Sequence, residues 1–97
     1  MFARQITIRI KDGRMDEVVR IYRESVVPAS REQKGCRSML LLTDESSGKC
    51  VSISLWDSRE NMQTSEDNGY MAQQTEKFAD AIVGSPQMET FVVGVKT

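Results

Sequence analysis

Trp56 is the sole tryptophan of the chain, and it stands where an alternating run, Cys50 to Trp56, gives way to Asp57-Ser58-Arg59-Glu60, a helix-capping sequence. An indole at such a junction either plugs the core or forms a wall on which a flat aromatic ligand stacks. Tyr22 and Tyr70 carry the same two readings, because each ring is apolar and each hydroxyl needs a partner once buried. Tyr22 falls on the apolar stripe of a helix, and Tyr70 follows the Asn68-Gly69 break, where a pocket mouth can open. Phe78 lies on the apolar stripe of a later helical stretch, and Arg9 alternates with isoleucines on the first strand. Trp56, Tyr22, Tyr70, Phe78 and Arg9 are therefore the candidate pocket residues. Their plainer readings are core packing and, for Arg9 with Gln5 and Thr7, polar pairing across a subunit interface.

Other chemistries lack their residues. There is no histidine, and the two cysteines stand apart, so no metal cluster and no Ser-His-Asp arrangement is available. No glycine-rich phosphate loop occurs; Asp12-Gly13 and Ser47-Gly48 read as turns. General acid–base work would fall to carboxylates such as Asp16, Glu24 or Glu89, which read as solvated positions. Met15, Met39, Met62, Met71 and Met88 read as adaptable packing.

The chain is short enough to be one domain over residues 1–97 and to gain core by pairing with a second copy. Its 13 basic and 14 acidic residues are mixed, with no basic stripe, so no nucleic-acid partner is expected. Apolar runs are only a few residues long, so no membrane span is expected. Met1 to Gln5 leads straight into a strand without a signal-peptide pattern, and a cytoplasmic location is the expectation. Cys36 and Cys50 fall on adjacent strands of one hairpin, with Cys50 opposite about Thr43. At ~3.3 Å per residue they lie on the order of 20 Å apart, too far for a disulfide, which needs Cα atoms within ~7 Å.

The elements that must position these residues follow from periodicity. Phe2 to Ile10 alternates as a strand, with Ile6, Ile8 and Ile10 on one face and Gln5, Thr7 and Arg9 on the other. Met15, Val18, Val19, Tyr22, Val26 and Ala29 form a helical stripe, which Pro28 should loosen at about Glu24 to Val27. Cys36 to Asp44 and Cys50 to Trp56 form a hairpin. A helix capped by Asp57 or Ser58 runs to Asn68-Gly69, and a second stretch carries Met71, Gln74, Phe78, Ala81 and Ile82 until Gly84-Ser85-Pro86 ends it. Met88 to Val95 is the last strand. The order β-α-β-β-α-β gives an α+β, ferredoxin-like sandwich: a four-stranded antiparallel sheet with helices on one face. Met39 to Leu42 and Val92-Val93 leave apolar side chains on the other face, which a homodimer joined through its sheet faces would cover.

Ile8-Arg9-Ile10-Lys11-Asp12-Gly13-Arg14-Met15-Asp16-Glu17, Pro28-Ala29, Gly35-Cys36-Arg37 and Leu55-Trp56-Asp57-Ser58-Arg59-Glu60-Asn61-Met62 together resemble the antibiotic biosynthesis monooxygenase-like domains. That resemblance implies a dimeric α+β barrel. The family includes cofactor-free monooxygenases of polycyclic aromatics, haem-degrading enzymes and quinone-related enzymes. The haem-degrading branch uses a helix histidine with an asparagine and a tryptophan; Trp56 matches the tryptophan, but no histidine exists and the first strand has no asparagine. The function implied is a cofactor-independent oxygenase acting on a small aromatic or quinone-like compound, with a pocket of roughly 300 Å³ or more beside Trp56. The alternative is a non-catalytic, dimeric ligand-binding or stress-related module.

Overall fold

The computed structural model describes residues 1–97. Four strands, β1 (Phe2–Ile10), β2 (Cys36–Asp44), β3 (Lys49–Trp56) and β4 (Ile82–Val92), form one sheet in the order β2-β3-β1-β4, with all neighbours antiparallel. The helices lie against one face, giving the expected ferredoxin-like α+β sandwich. In β1 the even-numbered residues Arg4, Ile6, Ile8 and Ile10 face the helices. The cross-strand pairs Arg4–Ser54, Ile6–Ser52 and Ile8–Cys50 then place the serine row of β3 on that same face. Val51, Ile53 and Leu55 consequently point away from the helices, beside Leu40 and Leu42 of β2 and Phe91 of β4, and these last three are about half exposed.

The first crossover is one helical rod in three parts: α1 (Met15–Ile21), a π-helical turn (Tyr22–Val26) and α2 (Val27–Ser30). Pro28 loosens the helix where expected. The wider π turn has a packing consequence. Val18, Tyr22, Val26 and Ser30 recur every fourth residue and are all buried, whereas at 3.6 residues per turn such a row would drift around the rod. The π turn cancels that drift and places Ser30, rather than Ala29, at the end of the stripe. The core beneath consists of Ile10, Met15, Val18, Tyr22, Val26, Cys50, Phe78 and Ala81. Thr43 is indeed paired with Cys50, while Cys36 pairs with Trp56, and both thiols are free.

After β3, Ser58 caps α3 (Arg59–Asp67), its Oγ accepting from the Asn61 N–H at 3.0 Å. Asp57 has another task, receiving Asn61 Nδ2 at 2.8 Å and Arg37 Nη2 at 3.2 Å. Gly69, at φ 86°, turns the chain into α4 (Tyr70–Glu76). Here the structure departs from the periodicity reading. Helix α4 stops at Glu76, Phe78 and Ala81 are buried from successive turns, and β4 begins at Ile82. Gly84-Ser85-Pro86 does not end a helix; it is a bulge inside β4, where these three residues oppose Ile8 alone. Proline has no N–H to give a ladder, and β4 is an edge strand, so the bulge is tolerated there.

Gly35, at φ 84°, lies where the first crossover enters β2, and a Cβ there would fall 2.8 Å from Asn61 Cβ and into the Asp57 carboxylate. Gly13 has a similar φ of 77° but open space around it. Gly35→Ala should therefore lower unfolding free energy by about 2–3 kcal/mol, and Gly13→Ala by only about 1 kcal/mol. Urea denaturation of both variants checks this; equal losses would show that the Asp57–Asn61 corner yields freely.

Candidate functional site

Arg4 is the one charged side chain in the helix-facing row of β1, and it is 3% exposed. A guanidinium in that position needs acceptors, and α3 provides them. Arg4 Nη1 donates to Ser65 Oγ (2.8 Å), to the Met62 carbonyl (3.3 Å) and to Glu66 Oε2 (3.3 Å). The guanidinium lies over the Trp56 ring, 5.1 Å from its centroid, an arrangement the ring quadrupole favours. Trp56 is fully buried, and its Nε1 donates to Ser54 Oγ at 2.9 Å. Ser54 is both two residues before Trp56 on β3 and the cross-strand partner of Arg4. The stack Ser54–Trp56–Arg4–α3 is thus continuous. Arg4 Nε is buried and has no partner in the protein.

Beside this stack, between sheet and helices, lies a cavity of about 60 Å³. Ile6, Ile8, Val18, Val26, Met39, Leu41 and Phe78 make most of its wall, and Arg4, Tyr22, Ser52, Ser54, Tyr70, Gln74 and Thr75 bring polar atoms to it. Tyr22 Oη is satisfied, 3.0 Å from Ser52 Oγ and donating to the Leu40 carbonyl at 3.3 Å. Tyr70 Oη is buried without a partner. Burial pushes the Tyr70 phenol up to about 12, against a smaller downward pull from Arg4. Burial also raises Tyr22, partly opposed by Ser52, and lifts the Cys50 thiol to about 11. At neutral pH both tyrosines are therefore protonated donors, and Cys50 is an unreactive thiol.

Tyr22, Tyr70 and Phe78, three of the five candidates read from the sequence, meet at this cavity. Trp56 does not line it: the Arg4 guanidinium covers the ring, so the indole backs the site. The cavity is also far smaller than the volume expected beside Trp56. Arg9 stands on the other face of the sheet, exposed, with Nη1 donating to the Ser47 carbonyl at 3.2 Å; odd-numbered residues of β1 cannot reach the helix side. Sequence reasoning missed Arg4, Ser52 and Ser54. Extending the Ile6–Ile8–Ile10 alternation two residues backwards would have found Arg4.

An open groove of about 540 Å³ runs between α4 and β4 and shares Ile6, Met71, Thr75 and Ile82 with the cavity wall. Helix α4 therefore separates the cavity from the groove. It is two turns long and starts after the left-handed Gly69.

Comparison with known proteins places this geometry. The antibiotic biosynthesis monooxygenase family model matches residues 1–92. Two uncharacterised proteins of Mycobacterium tuberculosis are similar: Rv2557, 28% identical over 96% of this chain, and Rv2558, 30% identical over 98% of it. The chain spans about two fifths of the length of these curated relatives (41% and 39%). Among solved structures, a monooxygenase of Streptomyces coelicolor, ActVA-Orf6, in complex with nanaomycin D, superposes with a TM-score of 0.82 at 15% identity, covering 99% of this chain and 89% of that one. A variant of MhuD with two manganese protoporphyrin IX molecules bound per active site superposes with a TM-score of 0.79 at 16% identity, covering 100% and 98%. At such identities the structural likeness speaks for the fold, and the family match over residues 1–92 speaks for descent: this chain belongs to the antibiotic biosynthesis monooxygenase family.

Proposed function

We propose that the protein is a homodimeric, cofactor-independent oxygenase of a small hydroxylated aromatic or quinone-like compound, bound between sheet and helices. The observation that carries this reading is the cavity itself: mostly apolar walls, with two buried polar atoms, Arg4 Nε and Tyr70 Oη, that lack partners. Apolar walls suit a ring, and convergent donors fix its oxygen. The superposed monooxygenase carrying nanaomycin D supports the choice of ligand class. In the reaction envisaged, a ring hydroxyl compound and O2 give a quinone and water. One oxygen atom enters the ring, the other leaves as water, and the substrate supplies all the electrons.

Two structural consequences belong to this reading. The cavity, about 60 Å³, is smaller than the ~150 Å³ apolar cavity that admits benzene. A ring therefore fits only when this space enlarges, and α4, the element between the cavity and the groove, is the part we propose gives way. The second subunit covers the open sheet face, where Leu40, Leu42 and Phe91 are exposed around Val51, Ile53 and Leu55, an apolar surface that an antiparallel sheet facing water would not carry.

A non-catalytic binding module is the second reading. It is favoured by one observation: no carboxylate lines the cavity, so no side chain there serves as a general base.

Three measurements follow. Oxygen consumption over a panel of dihydroxylated one- and two-ring aromatics should exceed the spontaneous rate, and Tyr70→Phe should reduce it by about tenfold, a ΔΔG‡ of about 1.4 kcal/mol. Ligand binding without oxygen uptake would establish the binding module instead. In sedimentation, the wild type should run as a dimer at micromolar concentration and the double variant Leu40→Asp with Ile53→Asp as a monomer; a monomeric wild type sinks the dimer. Alkaline stability tests the burial of Tyr70. Its hydroxyl titrates near ~10 in the unfolded chain and at about 12 in the fold. Below the first value both states hold the proton and stability is unaffected. Between the two values the folded state holds a proton the unfolded state has lost, so stability falls as pH rises. Urea unfolding at about pH 9 and about pH 11.5 should show Tyr70→Phe losing less stability than wild type, by on the order of 2 kcal/mol. Identical losses would place the hydroxyl in water.

A further inference from the structure

The cavity contains donors and no base. Neither a carboxylate nor a histidine lines it, and its sole charged residue is Arg4. A buried donor without a partner costs about 1–3 kcal/mol, and native folds carry few such groups. Here two occur on residues that both line one cavity and are 3% and 7% exposed. Nearby hydroxyls are engaged: Ser54 Oγ receives the Trp56 indole, and Ser52 Oγ is paired with Tyr22.

We propose that Arg4 and Tyr70 form an oxyanion seat, so that the cavity takes a hydroxylated aromatic as its monoanion, the ionised ring oxygen accepting from Arg4 Nε and Tyr70 Oη. This rests on the aromatic-binding reading above and adds to it the charge state of the ligand and the two residues that select it. The ligand's proton goes to solvent. A neutral phenol satisfies the seat poorly, because it brings a donor of its own into a site whose hydroxyls are already engaged, whereas a phenolate oxygen only accepts. Charge balance permits the anion. Glu66 neutralises Arg4 from α3 at 3.3 Å, with its side chain 16% exposed, a longer contact than the ~2.7–2.9 Å of a strong charge-assisted bond. It engages Nη1 and leaves Nε free. The other titratable groups around the seat are Tyr22 from the π turn, Cys50 from β3 and Cys36 from β2. Burial holds all three in their neutral forms at neutral pH. The anion is also the electron-rich form of the ring, and so the form able to give electrons to oxygen without help from a base.

Para-nitrophenol is a direct probe, because its phenol and phenolate absorb at different wavelengths. Titrated under argon in the presence of excess protein, the bound compound should ionise at least one pH unit below the free compound, a tenfold preference for the anion. Arg4→Gln should return ionisation to the free value, and Tyr70→Phe should remove a substantial part of the shift. If Arg4→Gln fails to fold, Tyr70→Phe decides alone. That variant removes an unpartnered hydroxyl, so its urea midpoint at neutral pH should be no lower than wild type. Binding at the free compound's ionisation constant overturns the proposal. So does an unchanged shift in Tyr70→Phe, binding of para-nitrotoluene as tightly as para-nitrophenol, or no binding of either compound. The two readings fail separately: a shifted ionisation without oxygen uptake removes the oxygenase and keeps the seat, while uptake without a shift removes the seat alone.

Discussion

A positive charge held between sheet and helices organises this molecule. Moving a guanidinium out of water costs several kcal/mol unless its donors are met, and Arg4 meets those of Nη1 through three acceptors on one helix, Met62, Ser65 and Glu66, while its Nε is left without a partner. That requirement fixes where α3 sits on the sheet. The position of α3 fixes Gly69, and Gly69 fixes the start of α4. The same guanidinium covers Trp56, whose indole is held by Ser54. The placing of α3, and with it the start of α4 beside the cavity, therefore traces to one side chain. The ion pair need not add net stability to have this effect; it penalises every arrangement in which α3 is elsewhere.

The sheet serves two clients with opposite needs. Towards the helices β3 presents Cys50, Ser52 and Ser54, small or polar groups that leave room and supply hydroxyls, and ends in the buried Trp56. Away from them it presents Val51, Ile53 and Leu55, which are the better core formers. A one-subunit protein built for stability would be expected to turn the strand over. The register of β1 against β3 prevents that, because Arg4 pairs with Ser54 and the isoleucines of β1 share the serine face. The apolar row left outside is intelligible as a contact surface, and the polar row inside as the lining of a site.

Much of the architecture was legible in the sequence. Strand alternation in β1 and β3, the hairpin register that pairs Thr43 with Cys50, and the break at Asn68-Gly69 all stand as read. So does the loosening before Pro28. These are local signals, fixed by period two, period 3.6 and backbone chemistry. The second crossover was less legible. Met71, Gln74, Phe78, Ala81 and Ile82 fit a helical spacing, yet Phe78 and Ala81 are buried from turns and Ile82 opens a strand. Apolar spacing alone cannot separate a helix from a series of tight turns over the same core. Gly84-Ser85-Pro86 misled for a related reason: on an edge strand those residues make a bulge instead of a stop. Within the site, aromatic type drew attention to Trp56, while parity, which identifies Arg4, requires knowing which sheet face the helices choose.

The two tyrosines of the cavity show how the fold separates structure from chemistry. Both rings are buried, both phenols are shifted upwards by burial, and both belong to the same apolar space. Tyr22 is stitched to β2 and β3 through Leu40 and Ser52, and the π turn that carries it keeps the whole Val18–Ser30 stripe in register. It holds the first crossover to the sheet. Tyr70 opens the helix that would have to move, and its hydroxyl meets nothing. An unsatisfied hydroxyl is a loss for the empty protein, and filling its place with a phenyl ring would relieve that loss. A hydroxyl without a partner on the α4 side of the cavity, with a guanidinium that has a free N–H among the same lining residues, is most simply understood if a third group completes the pair.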